Sequence, residues 1–105
     1  QAILFDDIID TGGTIAAASR ALIERGAKSV SVAATHGIFS ESSIDKLKDT
    51  PIEEIVVTDT LLQNGNIDKI GNVKTLSVSS IIATALTSIF ADDSVSAIFM
   101  GENVL

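Results

Sequence analysis

Apolar positions along the chain fall into short runs that alternate with stretches of helical spacing. Ala2 to Phe5 is a buried-strand pattern stopped by the carboxylates Asp6 and Asp7. From Ile15, apolar residues recur at Ala18, Leu22 and Ile23, one face of a helix, with Gly26 placed to end it. Val30 to Ala34 forms a second strand pattern. Ser42, Ser43, Ile44 and Asp45 have capping-box spacing and open a short amphipathic helix through Lys48, which Thr50 and Pro51 close. Glu54 to Thr58 is a third strand, Gln63 to Gly71 a polar, glycine-containing loop, and Val73 to Val78 a fourth strand. Ser79 or Ser80 can cap the next helix, whose apolar face is Ile81, Ile82, Ala85, Leu86 and Ile89; Val95 to Phe99 is expected to be a last extended segment.

Strands that alternate with helices and are apolar on both faces predict an α/β fold: a parallel β-sheet with flanking helices on both sides, in three layers. No repeat, low-complexity tract or linker interrupts residues 1–105, so one domain is expected. Right-handed crossovers then bring the loops after Phe5, Ala34 and Thr58 to one edge of the sheet, where open α/β sheets bind ligands.

Composition narrows the functional classes. Fourteen acidic against seven basic residues leave a formal net charge of -7, which argues against a nucleic-acid surface. The longest apolar stretch, Ile81 to Phe90, is short and broken by Thr84, Thr87 and Ser88, so no membrane span is expected. With 46% hydrophobic residues and a mean hydropathy of +0.42, the chain is suited to a packed core. Cysteine is absent, which is compatible with a reducing, cytoplasmic setting. The chain opens at Gln1 directly on an apolar run, and we expect it to be a fragment of a longer protein that holds part of the active site elsewhere.

The chemistry concentrates in "FDDIIDTGGT", Phe5 to Thr14. "DTGGT" lies between a predicted strand and a predicted helix. Glycines there let the backbone turn tightly, and successive N–H groups at the helix start can face an anion with the helix dipole behind them. Thr11 and Thr14 add hydroxyl donors, and the preferred ligand is a phosphate monoester. The P-loop lysine is missing, as is the three-glycine dinucleotide register. Carboxylates repel a phosphate unless something lies between, and a sugar does so: Asp6 and Asp7 would accept hydrogen bonds from its hydroxyls, or share a Mg²⁺ with them. Asp10 either touches the ligand or caps the N–H groups of its own loop. Each half of this pattern alone is most often a solvated turn; strand, paired acids, glycine turn and helix together favour a site.

The composite resembles the signature of the type I phosphoribosyltransferase fold, and "DDIIDTGGT" is similar to that of one branch, the ribose-phosphate diphosphokinases (phosphoribosyl pyrophosphate synthetases). "ERGAKSVSVAATHGIFS", "IEEIVVTDT", "VKTLSVSSIIATAL" and "SVSAIF" resemble later segments of the same family, in order. The resemblance implies transfer of the ATP β,γ-diphosphoryl group to the anomeric hydroxyl of ribose 5-phosphate with Mg²⁺ as cofactor. It implies that Asp10, Thr11, Gly12, Gly13 and Thr14 hold the phosphate end, and that Asp6 and Asp7 contact the ribose and are candidate Mg²⁺ ligands. It further implies a homo-oligomeric, cytoplasmic parent of two similar domains. This chain would be part of the second, phosphoribosyltransferase-like domain, without catalytic residues of its own and inactive alone. A nucleobase phosphoribosyltransferase and a non-catalytic regulatory subunit of the same fold are the alternatives; Asp10 and the later segments count against the first, and the intact acids and glycine turn against the second.

Outside that stretch, His36 sits past a strand where a catalytic base could stand, but a loop histidine bonded to backbone is expected. Asp59 is expected to support the ligand edge rather than touch the ligand. Phe39, Phe90 and Phe99 fit core or interface positions. Lys46, Lys48 and Lys69 suit solvated charges, and Asp92 and Asp93 a surface turn.

Overall fold

The computed structural model describes residues 1–91. The order is β1 (Ala2–Ile9), α1 (Gly13–Glu24), β2 (Val30–Gly37), α2 (Glu41–Lys48), β3 (Glu54–Thr58), α3 (Asn66–Ile70), β4 (Val73–Leu76) and α4 (Ser79–Phe90). The four strands form one parallel sheet in the order β1-β2-β3-β4. The expected α/β class, parallel sheet and flanking helices are therefore present. The expected extended segment at Val95 to Phe99, the Asp92–Asp93 turn and Phe99 lie outside the described residues.

The covering of both sheet faces is not found among the described residues, and the strand order explains why. Right-handed crossovers that always step in the same direction put every connecting helix on the same side. Val30, Val32, Ala34, Ile55 and Val57 accordingly pack with Ile15, Leu47 and Ile70 in one core, flanked by Leu4, Leu22, Ile23, Ile44 and Ile67. The alternate strand positions form an open face on which Ile3, Phe5 and Leu76 are exposed, Phe5 by 79%. The α4 face marked by Ile82, Leu86 and Ile89 is also exposed, and Phe90, expected in a core or interface, is 87% exposed. Helix α4 packs on no other described element.

Element boundaries differ from expectation where backbone pairing outruns side-chain burial. Strand β1 continues through both acids to Ile9 because β2 pairs with it as far as Ile8↔His36 and Ile9↔Gly37. Helix α2 starts at Glu41 with Ser40 at its N-cap, two residues before the capping-box register, because Ser40 is tied to β1's end as described below. Strand β4 stops at Leu76, two residues short of the expected end. Inside the expected loop Gln63 to Gly71, α3 forms one short turn: the Asn64 side-chain oxygen accepts from Asn66 N–H (2.8 Å), Ile70 is buried, and Gly71 at φ 98° ends it. The Gly26 stop is as expected, with φ 103° and its N–H donating to the Ile23 carbonyl (3.0 Å).

Asp59 pins the β4–α4 corner. Its carboxylate accepts from Val78 N–H (2.9 Å), and that bond, helped by the Ser77 hydroxyl, holds its pKa below the ordinary 3.8. A carboxyl depressed by folding stabilises the native state above its unfolded pKa and loses that contribution as pH falls through the lowered value. We expect Asp59→Asn to lower Tm at neutral pH and to flatten the decline below pH 3.8, measured by thermal melts across the acid range; parallel acid limbs for both proteins would remove Asp59 from this role.

Candidate phosphosugar site

The glycine turn lies at the carboxyl end of β1, as expected. A polar cleft of about 180 Å³ is lined by Asp6, Ile8, Ile9, Asp10, Thr11, Gly12, Gly13, Thr14 and Ile15. Six of the seven residues singled out from the sequence thus share one cleft, and Asp7 does not line it.

The turn works through its backbone. Gly12 takes φ 80°, a left-handed conformation that L-residues with a Cβ adopt at a cost. Helix α1 starts immediately after it, and no side chain caps its first turn. The first backbone bond back into the turn is Ala16 N–H to the Gly12 carbonyl (2.8 Å). Among the described residues, the N–H groups of Gly13, Thr14 and Ile15 keep no protein acceptor. Unpaired donors at a helix N-terminus, with the dipole behind them, attract an anion. Of the two roles left open for Asp10, capping is not observed: no loop N–H donates to its carboxylate, and Asp10 is among the residues that line the cleft.

The paired acids are coupled. Asp6 Oδ1 accepts from Asp7 N–H at 2.8 Å. The Asp7 carboxyl sits below its usual range, first through its pairing with the Asp6 side chain, then through the neighbouring N–H groups of Asp7 and Ile8, and last through nearby His36. An exposed, readily ionised carboxylate suits hard-cation binding or a sugar hydroxyl. No cluster of three His, Cys, Asp or Glu residues that could cage a metal occurs among the described residues. Mg²⁺ commonly binds through only one or two protein carboxylates and keeps several waters, so Asp6 in the cleft and its neighbour Asp7 beside it would suit such an ion without a third protein carboxylate.

Several supporting residues escaped the sequence reading. Ser40 donates both its N–H (3.1 Å) and its hydroxyl (3.2 Å) to the Asp10 carbonyl. Ile38 and Phe39 donate their N–H groups to the Ile9 carbonyl, at 2.8 and 3.3 Å. Leu47, 1% exposed, fills the space beneath Gly12 so closely that a Cβ there would lie 2.9 Å from its Cγ. Asn64 and Asn66 donate side-chain amide protons to the Phe39 carbonyl (3.4 and 2.9 Å), strapping the next loop to this support. These links are long-range, and no local spacing signals them. His36 lies inside β2, not in a loop, and its Nδ1 pairs with the Thr60 hydroxyl (2.6 Å) instead of backbone. Thr58 and Thr60 hydroxyls both donate to the Thr35 carbonyl, at 2.6 and 3.4 Å, so His36 belongs to a polar brace between β2 and β3.

A parallel sheet whose first strand ends in acids and then in a glycine turn feeding a helix defines a class: α/β proteins with a glycine turn and an uncapped helix start at the carboxyl edge of the sheet. Within that class, the chain belongs to the family described as the phosphoribosyl synthetase-associated domain, whose family model matches residues 1–100. It is 47% identical over 97 residues to a ribose-phosphate pyrophosphokinase of Buchnera aphidicola subsp. Acyrthosiphon pisum (strain APS), covering 92% of this chain and 31% of that protein. It is 43% identical over 102 residues to a ribose-phosphate pyrophosphokinase of Clostridium acetobutylicum, covering 97% of this chain and 32% of that protein. The fold is similar to the crystal structure of phosphoribosylpyrophosphate synthetase from Mycobacterium smegmatis, with a TM-score of 0.79, 39% identity, and coverage of 88% of this chain and 31% of that one. The chain therefore spans about a third of the length of these relatives.

Proposed function

We propose that this chain is the part of a ribose-phosphate pyrophosphokinase that holds ribose 5-phosphate, within the second, phosphoribosyltransferase-like domain of a longer protein that transfers the diphosphoryl group of ATP to that sugar. The observation that carries the reading is the placement of Asp6 and Asp10 in one cleft with the unpaired N–H groups that open α1. The phosphate end meets the Gly13, Thr14 and Ile15 amides. One sugar length away, Asp6 accepts hydrogen bonds from ring hydroxyls and fixes the direction of the anomeric oxygen. In phosphoryl-type transfer the protein chiefly positions the reactants and stabilises charge, so orienting the acceptor is a substantial contribution. Mg²⁺, when bound, supplies charge neutralisation between substrate oxygens and carboxylate, with Asp6 and Asp7 as the residues that would hold it.

ATP contacts and catalytic groups then come from the remaining two thirds of the parent, and this chain alone has no turnover. The open sheet face and the unpacked α4 favour burial against the rest of that parent and a homo-oligomeric assembly, since exposed apolar surface of this kind marks an interface. A cytoplasmic location accords with the absence of cysteine.

Calorimetric titration of ribose 5-phosphate into the chain tests the reading, with Asp6→Asn as the paired variant. Losing a charged acceptor to sugar hydroxyls should weaken binding about tenfold or more. Equal affinity in both proteins would remove Asp6 from the site, and no binding to the unsubstituted chain would overturn the proposal.

A further inference from the structure

Lys46 has the sequence context of a solvated surface charge, but its position is unusual. Helix α2 is tied to the cleft side of the molecule at three points. Ser40, its N-cap, donates two hydrogen bonds to the Asp10 carbonyl. Leu47 is wedged under Gly12. At the far end, the Arg20 guanidinium of α1 donates to the Asp49 carbonyl (3.2 Å). Lys46 precedes Leu47 on this fixed helix, and its ammonium nitrogen stands 3.9 Å from the point where a Cβ on Gly13 would be. Among the described residues no carboxylate lies within 4.0 Å of that nitrogen; the one ion pair there is Lys74 with Glu54, on the open sheet face.

A cation at this place answers a charge problem. The cleft carries the carboxylates of Asp6 and Asp10, which oppose entry of a phosphate. Backbone N–H groups and the helix dipole supply only partial positive charge. A lysine ammonium is a compact point charge that binds phosphate without a fixed geometry and makes charge-assisted hydrogen bonds about twice as strong as neutral ones.

We propose that Lys46, which stands beside Gly13 and outside the cleft's own lining, reaches a phosphate bound at the glycine turn and sets the preference for a phosphorylated pentose over the free sugar. The proposal rests on the ribose 5-phosphate reading given above. It predicts that Lys46→Ala lowers affinity for ribose 5-phosphate roughly fivefold, the range between an exposed ion pair and a charge-assisted hydrogen bond. Lys46→Arg should stay within about twofold of the unsubstituted chain, since the charge is kept, and Lys48→Ala on the same helix should leave affinity unchanged.

The test follows the backbone amide signals of residues 12–14 by NMR while ribose 5-phosphate or inorganic phosphate is added; thermal melts check that these exposed substitutions leave the fold intact. If ribose 5-phosphate binds with equal affinity to the unsubstituted chain and to Lys46→Ala, the role of Lys46 is refuted and the ligand reading stands. If inorganic phosphate shifts these amides, weakened by Lys46→Ala, while ribose 5-phosphate does not, Lys46 stands and the ligand reading fails. If neither ligand shifts them, both are overturned.

Discussion

Gly12→Ala should abolish ribose 5-phosphate binding at concentrations that saturate the unsubstituted chain, and should lower Tm as well. Two costs combine. Holding an alanine at φ 80° costs about 1–2 kcal/mol. The added Cβ would also lie 2.9 Å from Leu47 Cγ, and Leu47 is buried among core residues, so it cannot swing aside. Overpacking of that kind costs about 1–3 kcal/mol. Part of this strain can be relieved by lifting the turn off Leu47, and that movement displaces the unpaired Gly13, Thr14 and Ile15 amides. Gly65→Ala is the matched control: Gly65 has φ -69° and open space where its Cβ would go, so both stability and binding should be nearly unchanged. A Gly12→Ala protein that melts and binds like the control would show that neither the backbone angle nor the contact matters.

Phe39→Ala should cause the largest loss of stability in the molecule, about 3–5 kcal/mol. Among the described residues, Phe39 is the largest fully buried side chain, and it belongs to the core shared by β1, β2, β3 and α2. Its ring also blocks the space beside Gly37, where a Cβ would collide with it. For a domain of this size such a loss is a large share of total stability, which is commonly about 5–15 kcal/mol. Phe39 is also the one described non-glycine residue with positive φ, at 50°. That angle lets Ile38 and Phe39 donate to Ile9 while Ser40 donates to Asp10, so the residue links the core to the cleft. Chemical denaturation should show the loss directly, and Phe39→Leu, which keeps most of the volume, should lose clearly less. A Phe39→Ala midpoint near that of the unsubstituted chain would contradict the packing described.

The parts of the fold visible in the sequence were those set by local pattern. Glu54–Thr58 was located to the residue because its run is apolar, β-branched and bounded by polar neighbours. The glycine turn was visible because glycines, threonines and acids of that order lie between a strand and a helix. Less visible was anything set by pairing across the sheet: β1 reaches Ile9 through polar residues because β2 holds it there. The single-sided covering among the described residues follows from the order of strands, which local spacing does not encode. Ser40 and Leu47 escape local spacing for the same reason: they lie some thirty residues from the loop they support, and only the packing of α2 brings them to it.

The most direct measurement is a crystal structure of the chain soaked with ribose 5-phosphate. The account predicts the phosphate against the Gly13, Thr14 and Ile15 amides, with the sugar ring over Asp6. Density for the sugar on the open sheet face, or phosphate away from the glycine turn, would contradict it.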